Sequence, residues 1–216
     1  NKITDKTKGI ICVSLFGQTS QMEVINSISN KYNLFVIEDA AQSFGASYKD
    51  KRSCNLSTIS TTSFFPAKPL GCFGDGGAVF TNSDLLADKV KSMRIHGQNK
   101  KYHHQYIGMG GRLNTIQAAI LSVKMDFYSE KIKMRENVAE NYNRLLEGII
   151  ETPYVHKDCQ SVWAQYCIKV KDRDKIQYKL KENGVPTAVY YPVPLHLQEC
   201  FYYLNYKKGD FPVSET

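Results

Sequence analysis

Nowhere does this chain approach the ~20 consecutive apolar residues that a membrane-spanning helix requires, so the sequence offers no contact with a membrane. No basic, apolar, small-residue series opens it, and nothing reads as a secretory leader. Its six cysteines (Cys12, Cys54, Cys72, Cys159, Cys167 and Cys200) lie far apart and never as C-x-x-C. That spacing argues against a zinc site and against a disulfide scaffold. It fits the reduced thiols of a cytoplasmic enzyme. Internal repeats, low-complexity segments and linkers are missing. The glycine run "GCFGDGG" lacks G-x-G-x-x-G spacing and gives no support for a dinucleotide fold. Nucleic-acid-binding motifs are absent too, and the lysines are spread through helical stretches rather than packed into an arm. The formal net charge of +7 therefore suits an anionic small substrate, such as a nucleotide sugar, better than nucleic acid.

What is present is enough apolar material for a real core: 42% of the 216 residues. "GIICVSLF" (9–16) and "LFVIED" (34–39) are short apolar runs that read as buried strands, with a helical pattern, "SQMEVINSISNKY" (20–32), between them. Strand, helix and strand at this spacing predict a βαβ unit and a parallel sheet. "ISTTSFF" (59–65) and "GAVFT" (77–81) add two strands rich in β-branched and aromatic residues. "SDLLADKVKSMRIH" opens on a serine suited to an N-cap. Residues 114–149 are proline-free and rich in helix formers, and their register breaks near Asp126, which predicts two helices or one bent one. A second group, "AQYCIKV" (164–170, strand), "DKIQYKLKENG" (174–184, helix) and "TAVYYPVP" (187–194), reads as a smaller βαβ-like domain. The boundary is placed near residue 127, giving domains 1–127 and 128–216. The chain opens on Asn1 and closes on "FPVSET", and it reads as an internal piece of a longer protein.

The chemistry centres on "TSFFPAKPLGCFGDGGAVFT" (62–81). Pro66 and Pro69 fix their own φ angles, and Pro69 drives Lys68 out of the α region. Lys68 thus sits on a constrained loop beside Phe64 and Phe65, and a desolvated amine is a usable nucleophile. The alternative is an ordinary surface lysine on a hairpin. Ligands of parallel sheets bind beyond the carboxyl ends of the strands, which is where "VIEDAAQSFGA" puts Asp39. A carboxylate there can hold a cationic nitrogen; otherwise it caps a turn. Gln42 offers both a donor and an acceptor. Ser63, at the tip of the next strand, can donate to a phosphate or be a plain strand serine. A lysine for an aldehyde, an acid for a pyridinium and a donor for a phosphate together suit pyridoxal 5'-phosphate.

"VSLFGQ", "VIEDAAQSFGA", "SFFPAKPLGCFGDGGA", "RIHGQ" and "GGRLNTIQAAIL" resemble the successive motifs of the DegT-type sugar-nucleotide aminotransferases, over about residues 3 to 213. The resemblance implies an α/β fold, the fold type I (aspartate aminotransferase-like) architecture. It implies a three-layer large domain and the start of a smaller C-terminal one, cut at both ends. It implies that Lys68 carries the pyridoxal phosphate and shuttles the α-carbon proton. Asp39 would face the ring nitrogen, Gln42 would lie on or near the ring, and Ser63 would donate to the phosphate. Arg112 would reach the partner subunit's site in a homodimer with composite active sites, unless it is only a helix-start arginine in a surface pair. Tyr190 and Tyr191 would meet substrate. The wording is most similar to enzymes that aminate C3 of UDP-2-acetamido-2-deoxy-3-oxo-glucuronate. An amino-acid donor, glutamate, and a place in surface polysaccharide or lipopolysaccharide biosynthesis follow from that likeness.

Two positions depart from the family pattern. Gly110 stands where many relatives have an asparagine that donates across the dimer, and Tyr190-Tyr191-Pro192 stands where relatives often have His-Tyr-Pro. His96, His103 and His104 lack metal spacing and read as part of a polar loop, so no metal is expected. Two other readings of the same fold are a pyridoxal-phosphate sugar dehydratase and a non-catalytic regulatory protein. The dehydratases of this family replace the lysine by histidine, so Lys68 argues against the first, and the intact site residues argue against the second.

Overall fold

A computed structural model describes residues 2–215. In chain order the elements are β1 (Gly9–Val13), α1 (Met22–Lys31), β2 (Phe35–Asp39), β3 (Ser47–Tyr48), β4 (Lys51–Arg52), β5 (Ile59–Ser63), β6 (Gly77–Thr81) and α2 (Asp84–Arg94). They continue with β7 (Gln98–Lys100), β8 (His103–His104), α3 (Thr115–Asp126), α4 (Tyr128–Leu146), β9 (Cys159–Gln160), α5 (Arg173–Glu182) and α6 (Pro212–Glu215). The chain divides into two compact units, Asn1–Ile168 and Lys169–Thr216.

The first unit is built on a four-stranded sheet in the order β1-β2-β5-β6. The expected βαβ unit forms: β1 pairs parallel with β2, and β2 pairs parallel with β5. The sheet is nevertheless mixed, because β6 runs antiparallel to β5, with Ser63 opposite Gly77. The connection explains this. The loop from Ser63 to Gly77 carries no helix to return the chain to the far end of the sheet, so β6 must come straight back.

Along β1 and β2 alternate residues point to opposite faces. Cys12 and Val36 are buried against Met22 of α1, Tyr48 and Leu56, while Ile11 and Phe35 stand on exposed positions. A second core joins Ala46, Phe64, Leu70, Cys72, Leu121, Tyr128, Ile132 and Val162. Ser83 caps α2, its Oγ accepting from the Leu86 amide at 3.4 Å, as its place in the sequence predicts. The helical stretch 114–149 is two helices, meeting at Phe127. The boundary expected near residue 127 and the division after Ile168 differ for a physical reason. Tyr128 and Ile132 of α4 are 6% and 8% exposed, packed into the second core, and they hold α4 in the first unit.

Two expected strands do not form. Residues 164–170 and 187–194 have no ladder. In place of a strand partner, the amides of Val162 and Gln165 donate to the carbonyls of Gly17 and Phe16, at 3.0 and 3.3 Å. The second unit holds α5, ending before Asn183 with Gly184 at φ +77°, two short 3-10 turns and α6. In it His196 Nε2 and Glu215 Oε1 lie 2.9 Å apart, their side chains 8% and 9% exposed. Among the described residues no helix is long and apolar enough to cross a membrane.

Candidate active site

The parallel strands β1, β2 and β5 all end at one edge of the sheet, and that edge collects most of the residues singled out from the sequence. Asp39 closes β2, in register with Val13 and Thr61. Its Oδ1 accepts from the Ala41 amide at 3.0 Å, so the turn-capping role considered for it is real. No described donor reaches its other oxygen. Gln42, three residues on, is 7% exposed. Its Oε1 accepts from the Phe16 amide at 2.7 Å, which ties the turn after β1 to the turn after β2. That first turn needs unusual backbone: Phe16 has φ +60° and Gly17 φ +114°.

Ser63 closes β5. Its Oγ accepts from the Phe65 amide at 3.2 Å, which leaves its own O–H to donate elsewhere. The loop that follows is knitted to itself. The Phe64 amide donates to Gly76 O at 2.7 Å, the Cys72 amide to Phe64 O at 2.8 Å, and the Lys68 amide to Phe65 O at 2.9 Å. The fully buried Cys72 thiol donates to Phe64 O and Gly74 O at 2.9 and 3.0 Å. Gly71 lies so close to the loop's other limb that a Cβ there would sit 2.6 Å from both Phe65 O and Pro66 O. On this frame Lys68 is half-buried, and its amine makes no hydrogen bond or ion pair among the described residues.

Arg112 is exposed, in the segment that leads into α3, and forms no ion pair among the described residues. That segment lies on the end of α2: the Gly111 amide donates to Arg94 O at 2.9 Å, and Gly110 bridges to Ile95. A side chain at Gly110 would meet His96 Cε1 at 3.2 Å from its Cβ, so the His96 ring borders that space. His103 and His104 form β8, and His104 Nδ1 lies 2.8 Å from His96 O. Tyr190 and Tyr191 belong to the second unit, 45% and 58% exposed, their rings edge to face at 5.5 Å.

Sequence reasoning missed Glu38. It is fully buried and accepts from Ser53 Oγ at 2.8 Å and from the Cys54 amide at 3.0 Å. Ser53 in turn meets Ser43 Oγ at 2.7 Å, so the carboxylate reaches the turn that carries Gln42. Desolvation raises its pKa against the opposing pull of these donors. The same burial, with the Glu38 charge behind it, pushes the Cys54 thiol up to about 12. A glutamate inside an otherwise apolar run was the available signal.

The sequence matches the DegT/DnrJ/EryC1/StrS aminotransferase family along residues 1–216. The chain belongs to this family. It is 53% identical over 91% of its length to the UDP-2-acetamido-2-deoxy-3-oxo-D-glucuronate aminotransferase of Pseudomonas aeruginosa, covering 55% of that protein. It is 46% identical over 99% of its length to the pleiotropic regulatory protein of Geobacillus stearothermophilus, covering 58% of that one. Among solved structures, it is similar to NtdA of Bacillus subtilis with bound cofactor PMP, at TM-score 0.86 and 35% identity, over 96% of this chain and 49% of that one. The chain thus spans a little over half the length of the curated relatives it matches. Within the DegT-type fold, fold type I, the sheet edge described above is the place to look for its chemistry.

Proposed function

We infer that the protein is a pyridoxal 5'-phosphate-dependent aminotransferase that places an amino group on a keto sugar nucleotide. The observation that carries this reading is the half-buried, unpartnered amine of Lys68 on its knitted loop. The free oxygen of Asp39 and the free O–H of Ser63, at the ends of neighbouring strands, fit the same group. Pyridoxal phosphate, when bound, supplies an electron sink for reaction at an amino acid's α-carbon. Lys68 would hold the cofactor's aldehyde through its amine and carry the proton to and from that carbon. The Asp39 carboxylate would keep the ring nitrogen protonated, with Gln42 near the ring and the Ser63 hydroxyl donating to the phosphate.

Arg112 would pair with an anionic group in the partner's site, in a homodimer with composite active sites. Tyr190 and Tyr191 would hydrogen-bond substrate. The name of the Pseudomonas aeruginosa relative supports UDP-2-acetamido-2-deoxy-3-oxo-glucuronate as the acceptor, and the positive net charge suits such an anion. Glutamate would be the donor. The setting would be the cytoplasm, in surface polysaccharide or lipopolysaccharide synthesis.

A regulatory reading has one point in its favour, the name of the Geobacillus stearothermophilus relative. One assay separates the readings. The full-length protein, with pyridoxal phosphate and glutamate, is offered UDP- and dTDP-keto sugars, and products are read by mass spectrometry. An amino sugar nucleotide formed with 2-oxoglutarate supports transamination. Loss of water without amino transfer favours a dehydratase, and no turnover with cofactor bound favours regulation.

A further inference from the structure

The loop that carries Lys68 is held by more than its own backbone. Gln117, Leu121 and Lys124 of α3 are spaced i, i+4 and i+7, which puts them on one face of the helix. Each of them meets the loop. Gln117 Oε1 accepts from the Phe73 amide at 2.8 Å. Leu121, 7% exposed, packs in the core with Phe64, Leu70 and Cys72. Lys124 Nζ donates to Gly71 O at 2.5 Å and lies 4.5 Å from the centre of the Phe73 ring. Leu113, next to Arg112, comes close enough to Gly76 that a Cβ there would sit 3.0 Å from its Cδ1.

We propose that α3 is the clamp that positions Lys68, with Gln117 and Lys124 as positioning residues. The segment bearing Arg112 and the loop bearing Lys68 are then held by one rigid helix, start and side. Two considerations favour this over plain packing. Phe73 is 73% exposed, so burial of its ring does not account for the ordering of the glycine-flanked turn around it. Gly71 and Gly74 add backbone freedom to the turn, and the hydrogen bonds from the helix oppose it. A core leucine alone would bury the loop without fixing its register. The helix bonds the loop at Gly71 and Phe73, three and five residues past Lys68, on the limb that returns to the sheet.

This assignment rests on the function proposed above, and its test keeps the two apart. Gln117→Met keeps the length of the side chain and removes the acceptor; Gln117→Glu keeps an acceptor oxygen. In the cofactor-free full-length protein, hydrogen exchange is followed peptide by peptide. Gln117→Met should speed exchange over residues 71–74 about fivefold, the worth of one hydrogen bond, with exchange in β1, β2 and β5 unchanged. Gln117→Glu should restore slow exchange. With cofactor, Gln117→Met should lower kcat with KM nearly unchanged, and Gln117→Glu should recover it. Lys124→Met gives the same reading independently should Gln117→Met fold poorly.

Uniform exchange changes, or wild-type exchange at 71–74 in both Met variants, would overturn the clamp. So would wild-type kcat beside accelerated exchange, since the loop's order would then not bear on Lys68. A wild-type protein that fails to bind pyridoxal phosphate would refute the function instead, while the exchange result would still decide the clamp.

Discussion

A single methyl group added at Gly17 tests how the turn after β1 is built. Gly17 has φ +114°, where an L side chain is strained, and Ala there costs roughly 1–3 kcal/mol in backbone conformation alone. The new Cβ would also lie 2.6 Å from the Trp163 amide nitrogen and 2.7 Å from that of Ala164. Those are backbone atoms and cannot swing aside as a flexible side chain would. Relieving the overlap stretches or breaks the Val162 N–H to Gly17 O bond of 3.0 Å, a further loss of about 1 kcal/mol. Gly17→Ala should therefore cost about 3 kcal/mol, more than a hundredfold in the folding equilibrium.

Gly148 provides the control. It has φ +71° and nothing within 4 Å of the place a Cβ would take, so Gly148→Ala carries the conformational cost without the clash. Urea unfolding of the full-length protein, without cofactor, measures both. Cofactor affinity, read by fluorescence titration, should fall only for Gly17→Ala, because Phe16 hangs its amide on Gln42. If Gly17→Ala proves no more harmful than Gly148→Ala in stability, the close approach of this turn to residues 163–164 is wrong.

Other outcomes follow from the site. Glu38 has its folded pKa raised by desolvation, so the unfolded chain releases that proton first as pH climbs, and stability falls through the window between the ordinary glutamate value and the raised one. Glu38→Gln should flatten that fall above the ordinary glutamate value, about pH 4; parallel curves for the two proteins would contradict it. Asp39→Asn should keep the fold but lower turnover ~100-fold or more, a loss of a few kcal/mol at the transition state. Near-normal turnover would leave Asp39 as the turn cap alone. Mixing Lys68→Ala and Arg112→Ala subunits should restore about a quarter of wild-type activity, since half of randomly paired dimers carry one complete site; heterodimers without activity would place Arg112 outside the partner's site.

Local signals in the sequence carried most of the first unit. The apolar runs at 9–16 and 34–39 and the β-branched and aromatic stretches at 59–65 and 77–81 marked the strands, and the proline pair around residue 68 marked the loop. These depend on near neighbours. What was hidden depends on distant ones. The reversal of β6 follows from what the loop 64–76 lacks, a crossover helix, and not from the residues of β6 itself. Residues 164–170 have strand-like composition, yet a strand exists only where another chain segment supplies its ladder. The Gln117 and Lys124 contacts to Phe73 and Gly71 span 44 and 53 residues of sequence, and neither partner has a pattern that names the other. Glu38 was overlooked because the partners that justify its burial, Ser53 and Cys54, lie in an irregular segment.

The central claim is that the amine of Lys68 is the group that holds the cofactor, and covalent trapping tests it directly. The full-length protein is mixed with pyridoxal phosphate, reduced with borohydride, digested and mapped by mass spectrometry. The account predicts one phosphopyridoxyl label, on the peptide containing Lys68, and its loss in Lys68→Ala together with the visible absorbance of the bound cofactor. A label on another lysine, or a reducible adduct that survives in Lys68→Ala, would contradict it.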